Sequence, residues 1–206
     1  MVNKIFFIVS FGMLISFQSA WGEGDPDAGA RKALACAGCH GQNGNSINPQ
    51  CPKLAGQHPQ YTLNQLLDFK SGERSSPQMS PMAAGLSDQD MEDIAAYYAQ
   101  QTVSEGQISS SVEDRVVELG ERIYRAGDVG KGLASCMACH GPAGNGNPAA
   151  GYPSLASQHS AYTAAQLQAF KTETRNNDTN AVMRDVSLKL TNDEIEAVSQ
   201  YLQGLY

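Results

Sequence analysis

The sequence predicts an all-α protein made of two tandem, related helical domains. Three observations carry this: an internal repeat at an offset of about 100 residues, helix-start signals at matching places in both copies, and no stretch that reads as a strand. Laid on itself, Ala35-Cys-Ala-Gly-Cys-His-Gly41 matches Ser135-Cys-Met-Ala-Cys-His-Gly141, and Gly44-Asn45 matches Gly144-Asn145. Pro52-Lys-Leu-Ala-Gly-Gln-His58 pairs with Pro153-Ser-Leu-Ala-Ser-Gln-His159, then Tyr61, Gln65 and Phe69 with Tyr162, Gln166 and Phe170. The ends align too, Leu86 to Met91 with Leu190 to Ile195 and Tyr97 with Tyr201.

Each copy has the same run of helices. Asp25-Pro26 reads as an N-cap with proline at N1, opening a helix to about Leu34, and Val112 to Arg125 is its longer partner. Tyr61 to Lys70 and Tyr162 to Thr172 carry apolar residues at helical spacing. Ser87 and Thr191, each followed by acidic residues, cap final helices that end near Gln100 and Gln203. Between the copies, Gln100 to Ser111 is rich in Gln, Ser, Thr and Gly and reads as a linker.

The N-terminus follows different rules. Lys4, an apolar run from Ile5 to Phe17 and small residues at Ala20 and Gly22 form a secretory signal with a cut before Glu23. The run is shorter than the roughly 20 helical residues that cross a bilayer, and the alternative is an uncleaved anchor. The organisation expected is therefore a removed signal at 1–22, a first domain at 23–107 and a second at 108–206, the mature chain being soluble. Domains this small gain from a disulfide, a metal or a large buried cofactor that adds core.

Lys and Arg number 14 against 21 Asp and Glu, a net charge of −7 that argues against a nucleic-acid partner. An acidic surface suits docking on basic patches of other proteins, although plain solubility explains it equally well.

The chemistry lies in Cys36-Ala-Gly-Cys39-His40 and Cys136-Met-Ala-Cys139-His140, both C-x-x-C-H. Two thiols on one helical turn can reach both vinyl groups on one edge of a porphyrin, and the next imidazole then lies over the iron. The alternatives are a four-cysteine zinc site, whose halves rarely lie so far apart, and thioredoxin-like dithiols, which need a βαβ setting. Two covalent haem c groups are the expected cofactor.

With these residues in view, the whole mature chain resembles the dihaem cytochrome c4 family, two fused class I cytochrome c domains. The resemblance implies a small helical fold wrapped around a haem in each half, the halves related by a pseudo-two-fold axis. It also implies a periplasmic location and a respiratory role, with a cytochrome bc1 complex or similar donor and a terminal haem-copper oxidase as acceptor. Loose association with the periplasmic membrane face is compatible with that role.

A sixth iron ligand decides between electron transfer and chemistry. In the second half Met183 is the candidate, because Met137 lies inside the attachment motif. In the first half Met79, Met82 and Met91 compete. Met79 stands as far before Leu86 as Met183 stands before Leu190, whereas Met82 and Met91 align with Val186 and Ile195. The expected metal ligands are His40, Met79, His140 and Met183, with Met82 in reserve and the cysteines Cys36, Cys39, Cys136 and Cys139 binding the cofactor. His58 and His159 could in principle supply bis-histidine ligation, but hydrogen bonding near a propionate or a place where the domains meet fits them better. Pro52 and Pro153 are expected to accept the Nδ1–H of the ligand histidines, as in class I cytochromes c. Cys51, the odd cysteine, aligns with Tyr152 and reads as a buried thiol, with an intermolecular disulfide as the alternative.

Iron with both axial positions filled exchanges single electrons and has no place for peroxide or oxygen, so no enzymatic activity is expected. The rivals are a dihaem peroxidase-like enzyme and an electron-delivery subunit or haem sensor in a fixed complex. Because Trp21 is the chain's one tryptophan and precedes the proposed cut, the exported protein should lack tryptophan fluorescence. Its intact mass should begin at Glu23; retained upstream residues would overturn the cleavage site.

Overall fold

Two helix crossings organise the two halves of the computed structural model, which describes residues 24–206. The proposed signal at 1–22, with Trp21, lies outside the described residues. In the first half α1 (Pro26–Lys32) crosses α5 (Asp88–Ala99), and in the second α6 (Asp114–Ala126) crosses α10 (Asn192–Gln203). Against these pack α3 (Pro59–Ser71) on α5 and α8 (Ser160–Lys171) on α10. Two short helices, α4 (Met79–Ala84) and α9 (Val182–Leu188), lie on α3 and α8, and the attachment motifs form the single turns α2 (Ala37–His40) and α7 (Met137–His140). No strand occurs among the described residues beyond the isolated bridges Asp128–Leu133 and Asn147–Tyr152.

Local chemistry explains the helix starts. Asp25 Oδ1 accepts from the N–H groups of Asp27 and Ala28 at 2.9 and 3.2 Å, with Pro26 at the first helical position. Ser87 with Asp90, and Thr191 with Glu194, form reciprocal capping boxes at α5 and α10. The expected start at Val112 moves to Asp114, where extended Glu113 takes the cap position. The central helices begin two residues early, because Pro59 supplies a preset φ and Ser160 aligns with it.

Each half has its own core. Ala33, Leu66, Met91, Ile94 and Tyr98 are buried together in the first; Ile123, Tyr124, Leu133, Leu190, Ile195, Val198, Tyr201 and Leu202 are buried in the second. Lysine latches recur around them. Lys32 Nζ lies 2.6 Å from both Asp90 and Asp93, and Lys131 Nζ lies 2.6 Å from Glu194, tying the attachment side of each half to its last helix. Lys70 donates to the Leu86 carbonyl and Lys171 to that of Leu190.

The crossings depend on glycine. A Cβ on Gly29 would sit 1.9 Å from the Asp93 carbonyl oxygen, and one on Gly120 would sit 2.1 Å from that of Ala197. These equivalent positions escape a fixed repeat offset because the second half inserts a loop between α6 and Cys136, built from the Asp128–Leu133 bridge and a turn at Val129–Lys131. Between the halves, residues without helix are pinned on both sides. Ser104 N donates to Asn45 and Thr102 accepts from it, whereas the Gln107 carbonyl accepts from Gln203. Gly29→Val or Gly120→Val should force the helices apart and destabilise the holoprotein by about 1–3 kcal/mol, read as a lower denaturant midpoint. An unchanged midpoint would mean that the close crossing is not required.

Candidate functional site

The α2 and α7 turns put both cysteines of each motif on one side and aim the histidine inward. His40 and His140 are each 6 % exposed, and each ring is held by one hydrogen bond. Nδ1–H of His40 donates to the Pro52 carbonyl at 2.9 Å, and that of His140 to the Pro153 carbonyl at 2.9 Å. Burial holds both imidazoles below their ordinary range, against the pull of the proline carbonyls, so the rings are neutral. With Nδ1 carrying the proton, the free lone pair is on Nε2, the donor that a metal needs.

The loop that carries each proline is folded back by glycine. Gly44, at φ 78°, accepts at its carbonyl from Leu54 N and Ala55 N at 2.7 and 3.2 Å, and Gly144 does the same for Leu155 and Ala156. A side chain at Gly44 would meet Ala55 N and the Tyr98 ring, both at 2.7 Å.

The methionines stand in the first turns of α4 and α9. Met79 is half-buried and packs against the first core, and its N–H is capped by Ser76 Oγ at 3.1 Å. Met82 is 46 % exposed and Met91 is fully buried. Met183 is half-buried and approached differently: Asn180 and Ala181 hold left-handed φ of 56° and 57°, and Asp178 caps Arg184 N at 2.9 Å and pairs with its guanidinium at 2.8 Å. Cys36 packs against the first core and Cys136 against the second. Burial pushes the Cys136 thiol up to about 11. Cys51 is half-buried rather than buried and lies beside Cys39.

His58 and His159 sit where the halves meet. His58 Nε2 bonds to the Asn145 carbonyl and His159 Nε2 to the Ser46 carbonyl, each at 2.8 Å, so this nitrogen of both rings is already engaged. The contact is a nearly two-fold set of crossed hydrogen bonds. Arg74 reaches Tyr162 Oη at 3.1 Å and Gln166 Oε1 at 2.7 Å; Arg175 reaches Tyr61 Oη at 3.1 Å and Gln65 Oε1 at 2.9 Å. Each guanidinium lies over the phenylalanine of its own half, Phe69 at 4.6 Å and Phe170 at 4.4 Å. Burial pushes the Tyr61 phenol up, and Arg175 and Arg74 more than reverse that shift. Sequence reasoning missed both arginines, although they stand at the offset that relates Phe69 to Phe170.

A cytochrome c family model matches residues 27–102 and again 117–206. Cytochrome c4 of Thiocapsa roseopersicina is 47% identical over 184 residues, covering 88% of this chain and 93% of that protein. The chain belongs to the dihaem cytochrome c4 family. Reduced recombinant cytochrome c4 from Pseudomonas stutzeri superposes with a TM-score of 0.85 at 44% identity, covering 89% of this chain and all of that one. A protein of Stutzerimonas stutzeri named thiosulfate dehydrogenase electron acceptor is 36% identical over 94% of this chain and 91% of its own length. Membership in the cytochrome c4 family makes this a dihaem electron-transfer cytochrome with covalently bound haem c. The donor set fits that group: paired thiols, a neutral imidazole presenting Nε2, and thioethers downstream. No described helix is long and apolar enough to cross a membrane.

His159 gives the interface a pH dependence. Burial holds its imidazole below the ordinary range, opposed by the Ser46 carbonyl and helped by the Lys53 charge. The unfolded chain takes up this proton near pH ~6.5 and the folded chain only at lower pH, so the stabilisation is complete above that value and is lost as pH falls below it. Denaturant midpoints should therefore drop more for wild type than for His159→Gln from about pH 7 to about pH 5. Parallel profiles would remove His159 from the account.

Proposed function

We propose that the chain is a periplasmic one-electron carrier whose two halves, 23–107 and 108–206, each hold one haem c. In this reading Cys36 and Cys39, and Cys136 and Cys139, would form the thioethers, His40 and His140 would bind iron through Nε2, and Met79 and Met183 would supply the second ligand to each iron. The observation that carries it is the pair of C-x-x-C-H turns whose histidines are each locked by Nδ1 to a proline carbonyl. Haem, when bound, would supply reversible one-electron exchange. The protein's part is to hold the ring nitrogen in one tautomer and to keep water and small oxidants from the iron with a thioether. Packing of Met79 against the core, with Met82 turned to solvent, supports Met79 as the ligand.

The donor we propose is a bc1-type complex or similar and the acceptor a terminal haem-copper oxidase, met through the acidic surface. A second donor reading follows from the likeness to the thiosulfate dehydrogenase electron acceptor: electrons would then come from a sulfur-compound dehydrogenase. Rates of reduction by each donor, measured against ionic strength, separate the two, and the productive pair should slow as salt screens the docking charges.

The ligand assignment is tested on purified holoprotein. Two covalent haems per chain, both low-spin when oxidised and showing the thioether-to-ferric-iron band at the red end of the visible, are expected. Met79→Ala should turn one of the two haems high-spin and remove half of that band, whereas Met82→Ala should change neither. The reverse result would transfer the role to Met82, and a high-spin or bis-histidine haem in the wild type would favour an enzyme or a sensor.

A further inference from the structure

Two glutamines bind the halves together through the same peptide groups that hold the histidines. The Pro52 carbonyl accepts from His40, and the N–H on the other side of that peptide bond, Lys53 N, donates to Gln158 Oε1 at 2.9 Å. Gln158 closes the pair by donating Nε2 to the Lys53 carbonyl at 3.0 Å. The arrangement is repeated with the halves exchanged. The Pro153 carbonyl accepts from His140, Ser154 N donates to Gln57 Oε1 at 3.0 Å, and Gln57 Nε2 donates to the Ser154 carbonyl at 2.9 Å. Each Oε1 also accepts from the N–H of the next residue, His159 or His58, at 3.0 Å. Both side chains are 8 % exposed. Their orientation is unique, because a flipped amide would face two N–H donors with its own NH2 group.

We propose that Gln57 and Gln158 are positioning residues that tune the haem of the opposite half, acting through the Pro–Lys and Pro–Ser peptide groups on the proximal histidine. The inference rests on the reading that His40 and His140 bind iron. A peptide is one conjugated unit, so donation by its N–H moves electron density toward its oxygen. A more negative Pro52 oxygen accepts more strongly from His40 Nδ1–H and makes Nε2 the more basic donor, which favours ferric iron. The control is crossed: Gln158, in the second half, acts on the first haem, and Gln57, in the first half, acts on the second. Because the side chain is a neutral amide, the effect is independent of pH in the range where carboxylates and imidazoles titrate. Undocking the halves would release both relays together, so docking itself sets part of each potential.

Gln158→Met keeps the length of the side chain and removes the acceptor. Hydrogen-bond cooperativity of about 10–30% on a strong bond corresponds to about a two- to fivefold rise in the ferrous-to-ferric ratio of the first haem at fixed poise. The experiment is a redox titration of full-length holoprotein, wild type, Gln158→Met and Gln57→Met, with each haem resolved by NMR. Expected is a rise at the first haem for Gln158→Met and at the second for Gln57→Met, the other haem staying at its wild-type value. In the ferrous protein the Nδ1–H resonance of His40 should move upfield in Gln158→Met, and that of His140 in Gln57→Met. Equal shifts at both haems, a shift confined to the haem of the substituted half, or no shift would overturn the proposal. Covalent haem count and low-spin spectra confirm that each variant is assembled; if one is not, the other tests the crossed pattern alone. Wild-type spectra lacking histidine–methionine ligation would instead remove the reading beneath it, a failure visible before any variant is made.

Discussion

The bond from His Nδ1–H to the proline carbonyl is the constraint on which each half depends. It joins the one-turn helix of the attachment motif to the loop that carries the proline, and it leaves Nε2 as the free donor of the ring. For that carbonyl to be in place the loop must double back at Gly44 or Gly144, where a positive φ favours glycine and, at Gly44, the approach of Ala55 N and the Tyr98 ring leaves no room for a side chain. The crossing of the first and last helices, allowed by Gly29 and Gly120, then forms the wall against which the cysteine turn packs. Local geometry, packing and metal chemistry thus meet at one hydrogen bond per half.

The interface extends the same logic. Its core is polar, with arginines, glutamines and tyrosines bonded across it, and a polar interface of small domains is held by satisfied geometry rather than by apolar area. Leaving any one of these buried groups unpaired is costly, so the crossed bonds fix one relative placement of the halves. That fixed placement suits a carrier in which an electron passes between two irons, since the rate of such transfer depends on a constant separation and orientation.

Much of this was legible in the sequence where the signal is local. Asp25-Pro26, Ser87 with Asp90 and Thr191 with Glu194 satisfy nearby backbone donors, so the residues that cap a helix are neighbours in the chain. The C-x-x-C-H turns were legible because the chemistry demands a fixed spacing, and the proline carbonyls through the resemblance to class I cytochromes c. The short helices α4 and α9 were not, because six or seven residues, with Pro81 inside one of them, give no periodicity to read. Gly29 and Gly120 were hidden by the inserted loop at residues 127–135, which breaks the repeat offset. The partners across the interface, such as Lys53 and Gln158, are polar, distant in sequence and paired only by tertiary docking, and no pattern along the chain announces them.

Duplication has nevertheless not produced two identical sites. Beside the first attachment turn stands the small, half-buried thiol of Cys51; at the matching place Tyr152 sets its ring 5.8 Å from that of His140. Met79 is presented from a turn capped by Ser76, Met183 from a left-handed pair, Asn180 and Ala181, braced by Asp178 and Arg184. Left-handed backbone at a non-glycine residue costs about 1 kcal/mol or more, so the second methionine is held by structure that the first does not need. With His140 as an iron ligand, the Tyr152 ring would line the second haem's proximal side, whereas at the first the matching Cys51 lies against Cys39, and local polarity is one of the variables that set a haem's potential. Two copies of one fold, joined by reciprocal bonds, therefore differ at the side chains beside the attachment turns and at the approach to the methionines.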